Sequence, residues 1–179
     1  MNPTPYSHRL SILTGISIPG WAPSKFRIAW DKGIISIMTD FHFFHLIEVR
    51  YGDLDPQGHV NNAKILTYME QGRVFYFKQL KLWEAGSFLN FGIILADVQI
   101  TFRKVIQFGD PVRVGVRISR FGNKSMTSEY RIEDARDSSE FATGTSVLVA
   151  YDYQVRRSIP IPEEWRKVIL QYEGMLEQQ

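Results

Sequence analysis

Between residues 112 and 119 apolar and polar side chains alternate without a break, Val112, Val114, Val116 and Ile118 against Arg113, Gly115, Arg117 and Ser119. A period of two puts one face of a strand into a core and the other toward solvent, so this segment commits the chain to a sheet with one buried face. Three more segments read as strands: 92–103, where Val98, Ile100 and Phe102 alternate, 125–133, and 141–153, the last two joined through the turn-prone Asp134 to Ser139. One segment before them has a different period. From Asn61 or Asn62, either of which can cap a helix, to about Leu80, the stripe Ile65, Tyr68 or Met69, Gly72, Phe75 or Tyr76, and Gln79 or Leu80 keeps a spacing of three to four residues. Gly72 is costly inside a helix, and its place in the stripe implies close packing on that turn, such as a sheet wrapped around the helix.

Phe43 to Arg50 reads as a further strand, with Gly52 to Gly58 as its exit loop. Pro162, Glu163 and Glu164 open a C-terminal helix to about Glu173, since proline and acids suit a first turn. Strands clustered after one long helix define an antiparallel α+β sheet rather than alternating βαβ units. A single helix covers one face of such a sheet; oligomerisation is the expected cover for the other.

At 179 residues the chain has room for one domain with a real core. Residues 1–37 stand apart, with four of the eight prolines, a single acid, Asp31, and no sustained apolar period. They are expected to be an N-terminal extension to a domain at 38–179, poorly ordered or upstream of a true start at Met38; a transit peptide is the third reading, with too little arginine and no amphipathic helix in its favour. There is no cysteine, so disulfides, thiolate metal sites and a cysteine nucleophile are excluded, and a cytoplasmic location is the default. The net charge of +2 lacks the concentrated basicity of a nucleic-acid binder, and no apolar run reaches the roughly 18 to 20 residues needed for a membrane span.

The densest polar cluster is Tyr51, Asp53, Asp55, Gln57, Gly58, His59, Asn61 and Asn62, between a strand and the start of the long helix. The first N–H groups of a helix have no intrahelical partner and carry partial positive charge, so they can polarise a carbonyl oxygen. A carboxylate just before them can act as base or nucleophile toward that carbonyl, and Asp55 fits the role. The same acids also suit ordinary capping and turn formation. An EF-hand start is imitated, yet Lys64 stands where the loop needs a bidentate glutamate. His42 and His45 belong to the preceding strand, so His59 lacks companions for zinc, and no metal site is expected. Gly-x-Ser-x-Gly, P-loop and dinucleotide fingerprints are absent.

The run from Val49 through Asn62, followed by Tyr68-Met69-Glu70-Gln71-Gly72-Arg73, resembles the signature of the 4-hydroxybenzoyl-CoA thioesterase family of hotdog-fold acyl-CoA thioesterases. A looser match extends through Gly109-Asp110-Pro111 and Phe121-Gly122-Asn123-Lys124-Ser125. The resemblance implies a hotdog fold, about five antiparallel strands wrapped around one long central helix, and an acyl-CoA substrate whose coenzyme A is part of the substrate, with no separate cofactor. It implies Asp55 as the catalytic carboxylate, activating water or attacking the thioester carbonyl, and the backbone N–H near Asn62 as its polariser. Tyr51 and Gly58 would shape the pocket, Asp53 would orient the loop, and His59 is either a structural turn residue or a proton carrier. Glu70 corresponds to a helix carboxylate of another hotdog branch, or simply pairs with Arg73.

Residues 101–131 hold seven Lys or Arg against two acids. By the resemblance Lys124 and Ser125 meet the nucleotide phosphates of coenzyme A, with Arg120 and Arg103 as neighbours; a solvated strand face is the alternative. The site is expected to span the interface of a homodimer or homotetramer. Rival readings are an enoyl-CoA hydratase, which would pair Asp55 with His59, and a non-catalytic module that binds acyl-CoA or acyl-carrier protein. Trp83, Phe88 and Phe91 are candidates for the acyl pocket, or for ordinary core and subunit contacts.

Overall fold

The computed structural model of the chain describes residues 26–31, 34–39, 41–83 and 92–175. It divides into two units, residues 1–40 and 41–179. In the first, β1 (Phe26–Asp31) and β2 (Ile34–Thr39) form an antiparallel hairpin with Phe26 opposite Thr39 and Asp31 opposite Ile34. Met38 thus lies inside β2, and along β1 Phe26, Ile28 and Trp30 alternate with Arg27, Ala29 and Asp31.

The second unit holds β3 (Phe43–Ile47), α1 (Asn62–Gln79), β4 (Ile93–Phe102), β5 (Val112–Phe121), β6 (Ser125–Asp134), β7 (Glu140–Asp152), β8 (Arg157–Ser158) and α2 (Glu163–Glu173). The strands form one antiparallel sheet in the order β3-β5-β6-β7-β4, with the two-residue β8 added to β7. This is the α+β hotdog arrangement expected from the sequence, with both helices and the four strands expected after α1 within two residues of their expected limits; the short β8 was not expected.

Alternation in β5 becomes layering: Val112, Val114, Val116 and Ile118 are at most 1% exposed and face α1. From α1 the buried residues are Ile65, Tyr68, Met69, Gly72, Arg73, Tyr76 and Phe77, while Phe75 turns outward. A Cβ built on Gly72 would lie 2.8 Å from Val114 Cγ1 and 3.1 Å from Val116 Cγ2, so the glycine lets helix and sheet touch. The close approach inferred from the sequence is therefore with β5. Asn61, not Asn62, is the cap: its side chain accepts the Ala63 N–H at 2.9 Å.

The outer face of β5 and β6 carries paired charges. Arg113 stands opposite Glu133, and Arg117 opposite Glu129. The fully buried Glu133 carboxylate accepts from Arg113 Nε at 2.6 Å, and Arg131 Nε approaches its other oxygen at 2.7 Å without hydrogen-bond alignment, a coulombic contact. Phe44 lies against Arg113 at 4.4 Å and Phe41 against Arg131 at 4.9 Å, so rings and guanidinium planes close this part of the sheet. Cross-strand pairs of opposite charge line this face.

Candidate active site

After β3 the chain makes one 3-10 turn, Tyr51–Asp53, then folds back on itself before α1. The Asp55 N–H donates to His59 O at 2.8 Å and the Gly58 N–H to Asp55 O at 3.0 Å. Gly58 has φ +78°, a conformation that costs glycine little and other residues more. The loop is tied on both sides: the Asn61 N–H donates to Asp53 O at 2.9 Å and the Val60 N–H to Ile106 O at 2.8 Å, and His59 forms a bridge with Gln107.

Asp55 sits half-buried at the turn, and its Oδ1 accepts the backbone N–H groups of Gln57 at 2.9 Å and His59 at 3.1 Å. Oδ2 has no hydrogen-bond partner among the described residues, so one oxygen is anchored and the other is presented. The N–H of Asn62, first residue of α1, likewise has no acceptor among the described residues, while Ala63 and Lys64 bond to Asn61. A carboxylate oxygen and a helix-terminal donor are both open within one tight loop.

Asp53 does the anchoring. It is 2% exposed, and its Oδ2 accepts the Arg50 N–H at 3.1 Å and the Tyr68 hydroxyl at 3.0 Å, with Lys64 Nζ 3.5 Å from Oδ1. Burial opposes its charge, yet the Arg50 N–H, the Tyr68 hydroxyl and the Arg50 and Lys64 cations outweigh it and hold the carboxyl below the ordinary aspartate range. Burial, then the hydrogen bond and charge of Asp53, push the Tyr68 hydroxyl well above its ordinary value, so it remains a donor. The sequence assigns Asp53 to orienting the loop; Tyr68, read only as a stripe residue, is its unforeseen partner.

Tyr51 is 82% exposed and meets Phe108 edge to face with centroids 6.4 Å apart. The backbone N–H and C=O of His59 hold Asp55, but among the described residues its ring makes no hydrogen bond to it. Glu70 and Arg73 are 3.7 Å apart on α1, and Arg73 donates to the Tyr130 hydroxyl at 3.2 Å. Trp83 packs against the core, and Phe88 and Phe91 lie outside the described residues.

The basic residues separate. Lys124, in the turn from β5 to β6, donates to Ser158 O at 3.2 Å, with Ser125 beginning β6 and the exposed Arg120 near the end of β5. Arg103 follows β4 and pairs with Glu140 at 3.1 Å. Ser125 faces Val149 of β7 while Glu133 faces Glu140, so Arg103 lies at the other end of the sheet, about 26 Å from Ser125 at 3.3 Å per residue. The expected neighbourhood of Arg103 and Lys124 therefore does not exist within one chain; Arg103 stands at the Asp55 end. Of the other cations in that stretch, Arg113, Arg117 and Arg131 meet Glu133 or Glu129. Among the described residues no three His, Cys, Asp or Glu come together as metal ligands, and no helix is long and apolar enough to cross a membrane.

Residues 49–169 match the model of the Thioesterase-like superfamily, and the chain belongs to that family. Among solved structures it is similar to a Thermus thermophilus thioesterase complexed with coenzyme A and zinc, at 33% identity and TM-score 0.67 over 76% of this chain and 98% of that one. A predicted thioesterase from Bacillus stearothermophilus is similar at 26% identity and TM-score 0.66, again over 76% and 98%. The uncharacterized protein YsmA of Bacillus subtilis (strain 168) is 26% identical over 132 residues, 74% of this chain and 88% of YsmA.

Proposed function

We propose that the protein hydrolyses an acyl-CoA thioester to the free acid and coenzyme A, as the resemblance of its Val49-to-Asn62 run to 4-hydroxybenzoyl-CoA thioesterases implies. The observation that carries this reading is the pairing of an anchored Asp55, one carboxylate oxygen presented, with the open Asn62 N–H at the start of α1. A thioester carbonyl oxygen accepting from Asn62 would be polarised as charge develops on it. Asp55 then either removes a proton from water as that water adds to the carbonyl, or adds to it directly and is released by water. In both routes the C–S bond breaks, the sulfur leaves as thiolate and takes up a proton, and one water is consumed per acid formed. His59 serves the turn through its backbone.

The site is completed by a second copy. One chain holds Asp55 and Lys124 at opposite ends of its sheet, and β4 is a ten-residue edge strand, its outer edge unpaired among the described residues. Antiparallel pairing of β4 with its copy would lay the Ile93 end of one chain beside the Phe102 end of the other, bringing the Lys124 end of one to the Asp55 loop of its partner. A homodimer is the smallest assembly that does this; a homotetramer would contain it. Thiol release from short, medium, long and aromatic acyl-CoAs tests the activity. Turnover of some supports it, whereas silence across the panel with tight binding of acyl-CoA or acyl-carrier protein would replace it with a binding module.

A further inference from the structure

At the end of the sheet away from Asp55, β7 turns through residues 153–156 and returns as β8, placing Tyr151 opposite Ser158 and Asp152 opposite Arg157. The start of β4 and the first turn of α2 close on this hairpin and leave a half-open cleft of about 390 Å³, lined in part by Tyr151, Asp152, Tyr153, Gln154, Pro162 and Trp165. Three of these residues carry aromatic rings. Tyr151 and Tyr153 meet edge to face with centroids 5.1 Å apart, and the Tyr153 hydroxyl donates to Ile93 O at 3.4 Å, which ties its half-open ring to β4. Gly92 makes the junction possible: a Cβ there would lie 1.6 Å from Tyr151 O.

The charge on the lining has one sign. Asp152 Oδ1 accepts the N–H groups of Gln154 at 2.8 Å and Val155 at 3.1 Å, which fixes the carboxylate and leaves Oδ2 without a hydrogen-bond partner among the described residues. No Lys or Arg lines the cleft, and Glu163 and Glu164 stand in the first turn of α2 that closes it. The cations nearby are held elsewhere or stay in solvent. Lys124 donates to Ser158 O at 3.2 Å, and Arg166 donates to Gly122 O at 2.7 Å with its guanidinium 4.7 Å from the centre of the Phe121 ring. Arg156 and Arg157 are exposed, and among the described residues neither forms an ion pair with Asp152, although Arg157 is directly across the ladder.

Rings beside a fixed carboxylate favour a cation with apolar surface of its own. A metal ion would find a single free carboxylate oxygen, far short of a coordination shell. A primary ammonium would bring three N–H donors to that one oxygen, whereas a quaternary ammonium brings none. Its methyl groups bury against the rings and its charge is balanced by Asp152. An anion would meet carboxylates alone, and an alkyl chain would leave Asp152 without a partner. We infer that this cleft binds a quaternary ammonium group, carried by a small soluble molecule or by a lipid headgroup. The site is separate from the Asp55 loop and does not depend on the acyl-CoA reading.

The test is calorimetric titration of the full chain with choline and with its uncharged isostere, in which a tert-butyl group replaces trimethylammonium. Saturable binding of choline is expected, with the isostere bound about ten-fold more weakly or worse. Asp152→Asn keeps an oxygen for the Gln154 and Val155 N–H groups but removes the charge, and it should weaken choline about ten-fold. Tyr153→Leu should do the same, while Tyr153→Phe should stay within about two-fold of wild type. Thermal melts check folding, and if Tyr153→Leu melts early then Asp152→Asn alone decides. Absence of saturable choline binding, equal binding of choline and its isostere, or a folded Asp152→Asn that binds as wild type overturns the assignment. Co-sedimentation distinguishes the two sources. Capture by phosphatidylcholine but not phosphatidylglycerol vesicles, lost in Asp152→Asn, assigns the group to a lipid headgroup; choline binding without vesicle capture assigns it to a soluble molecule.

Discussion

The hydroxyl of Tyr68, in the second turn of α1, donates to Oδ2 of Asp53 at 3.0 Å, tying the central helix to the loop that presents Asp55. Asp53 receives the Arg50 N–H on the same oxygen, so the helix and the residue that opens the 3-10 turn converge on one buried carboxylate.

Tyr68→Phe removes that donor and should cost about 1–3 kcal/mol, measured by urea unfolding at pH 7. It should also change the response to acid. Because the folded-state carboxyl of Asp53 lies below its ordinary value, its stabilisation is fully present above the unfolded value and is lost as pH falls through the folded one. Losing one hydrogen bond raises the folded value, so the acid unfolding midpoint of the variant should move to higher pH. An unchanged midpoint would mean that Tyr68 does not help hold Asp53 ionised.

Gly72→Ala sets two effects against each other. Alanine gains about 1 kcal/mol of helix propensity, but its methyl would meet Val114 Cγ1 at 2.8 Å in a region already close-packed, an overpacking cost of about 1–3 kcal/mol. Net destabilisation is expected in equilibrium unfolding; a stabilised variant would show that β5 can recede from the helix.

Glu173, 1% exposed at the end of α2, accepts the Tyr76 hydroxyl at 2.5 Å and the Ile118 N–H at 3.2 Å through Oε1, while Oε2 is buried without a hydrogen-bond partner. Burial pushes its carboxyl above the ordinary value, although Tyr76, Ile118, His42 and Arg117 pull the other way. A raised folded value means a contribution fully present below the unfolded value of 4.5 and lost as pH rises through the folded one. Glu173→Gln keeps an acceptor for Tyr76 and Ile118 and cannot ionise. Relative to wild type it should therefore gain stability as pH rises from 4 to 8 in urea titrations. A difference independent of pH would contradict the assignment.

What the sequence reveals follows from how local each interaction is. The period of Val112 to Ile118 and the stripe of α1 are local, and they locate strand, helix and the glycine between them. The β7–β8 hairpin pairs only Tyr151 and Asp152 with two residues, too short to leave a period, so β8 was invisible. Charge misleads for the same reason: Glu133, just outside the basic stretch, reaches Arg113 only because β5 and β6 pair. Arg103 and Lys124 are 21 positions apart in the chain, and antiparallel folding sends them to opposite ends of the sheet. Asp55 and Asn62 stand out in the sequence because a carboxylate just before a helix start is a local pattern, whereas the Tyr68 contact to Asp53 depends on how α1 lies over the loop.

The most direct measurement is steady-state thiol release by Asp55→Asn beside wild type, on the acyl-CoA that wild type turns over fastest, with thermal melts of both. Asparagine keeps an oxygen for the Gln57 and His59 N–H groups but is neither base nor nucleophile. A kcat lowered about 10³-fold or more, with an unchanged melt, is the expected result. A variant that folds and keeps wild-type kcat would show that the reaction does not pass through Asp55.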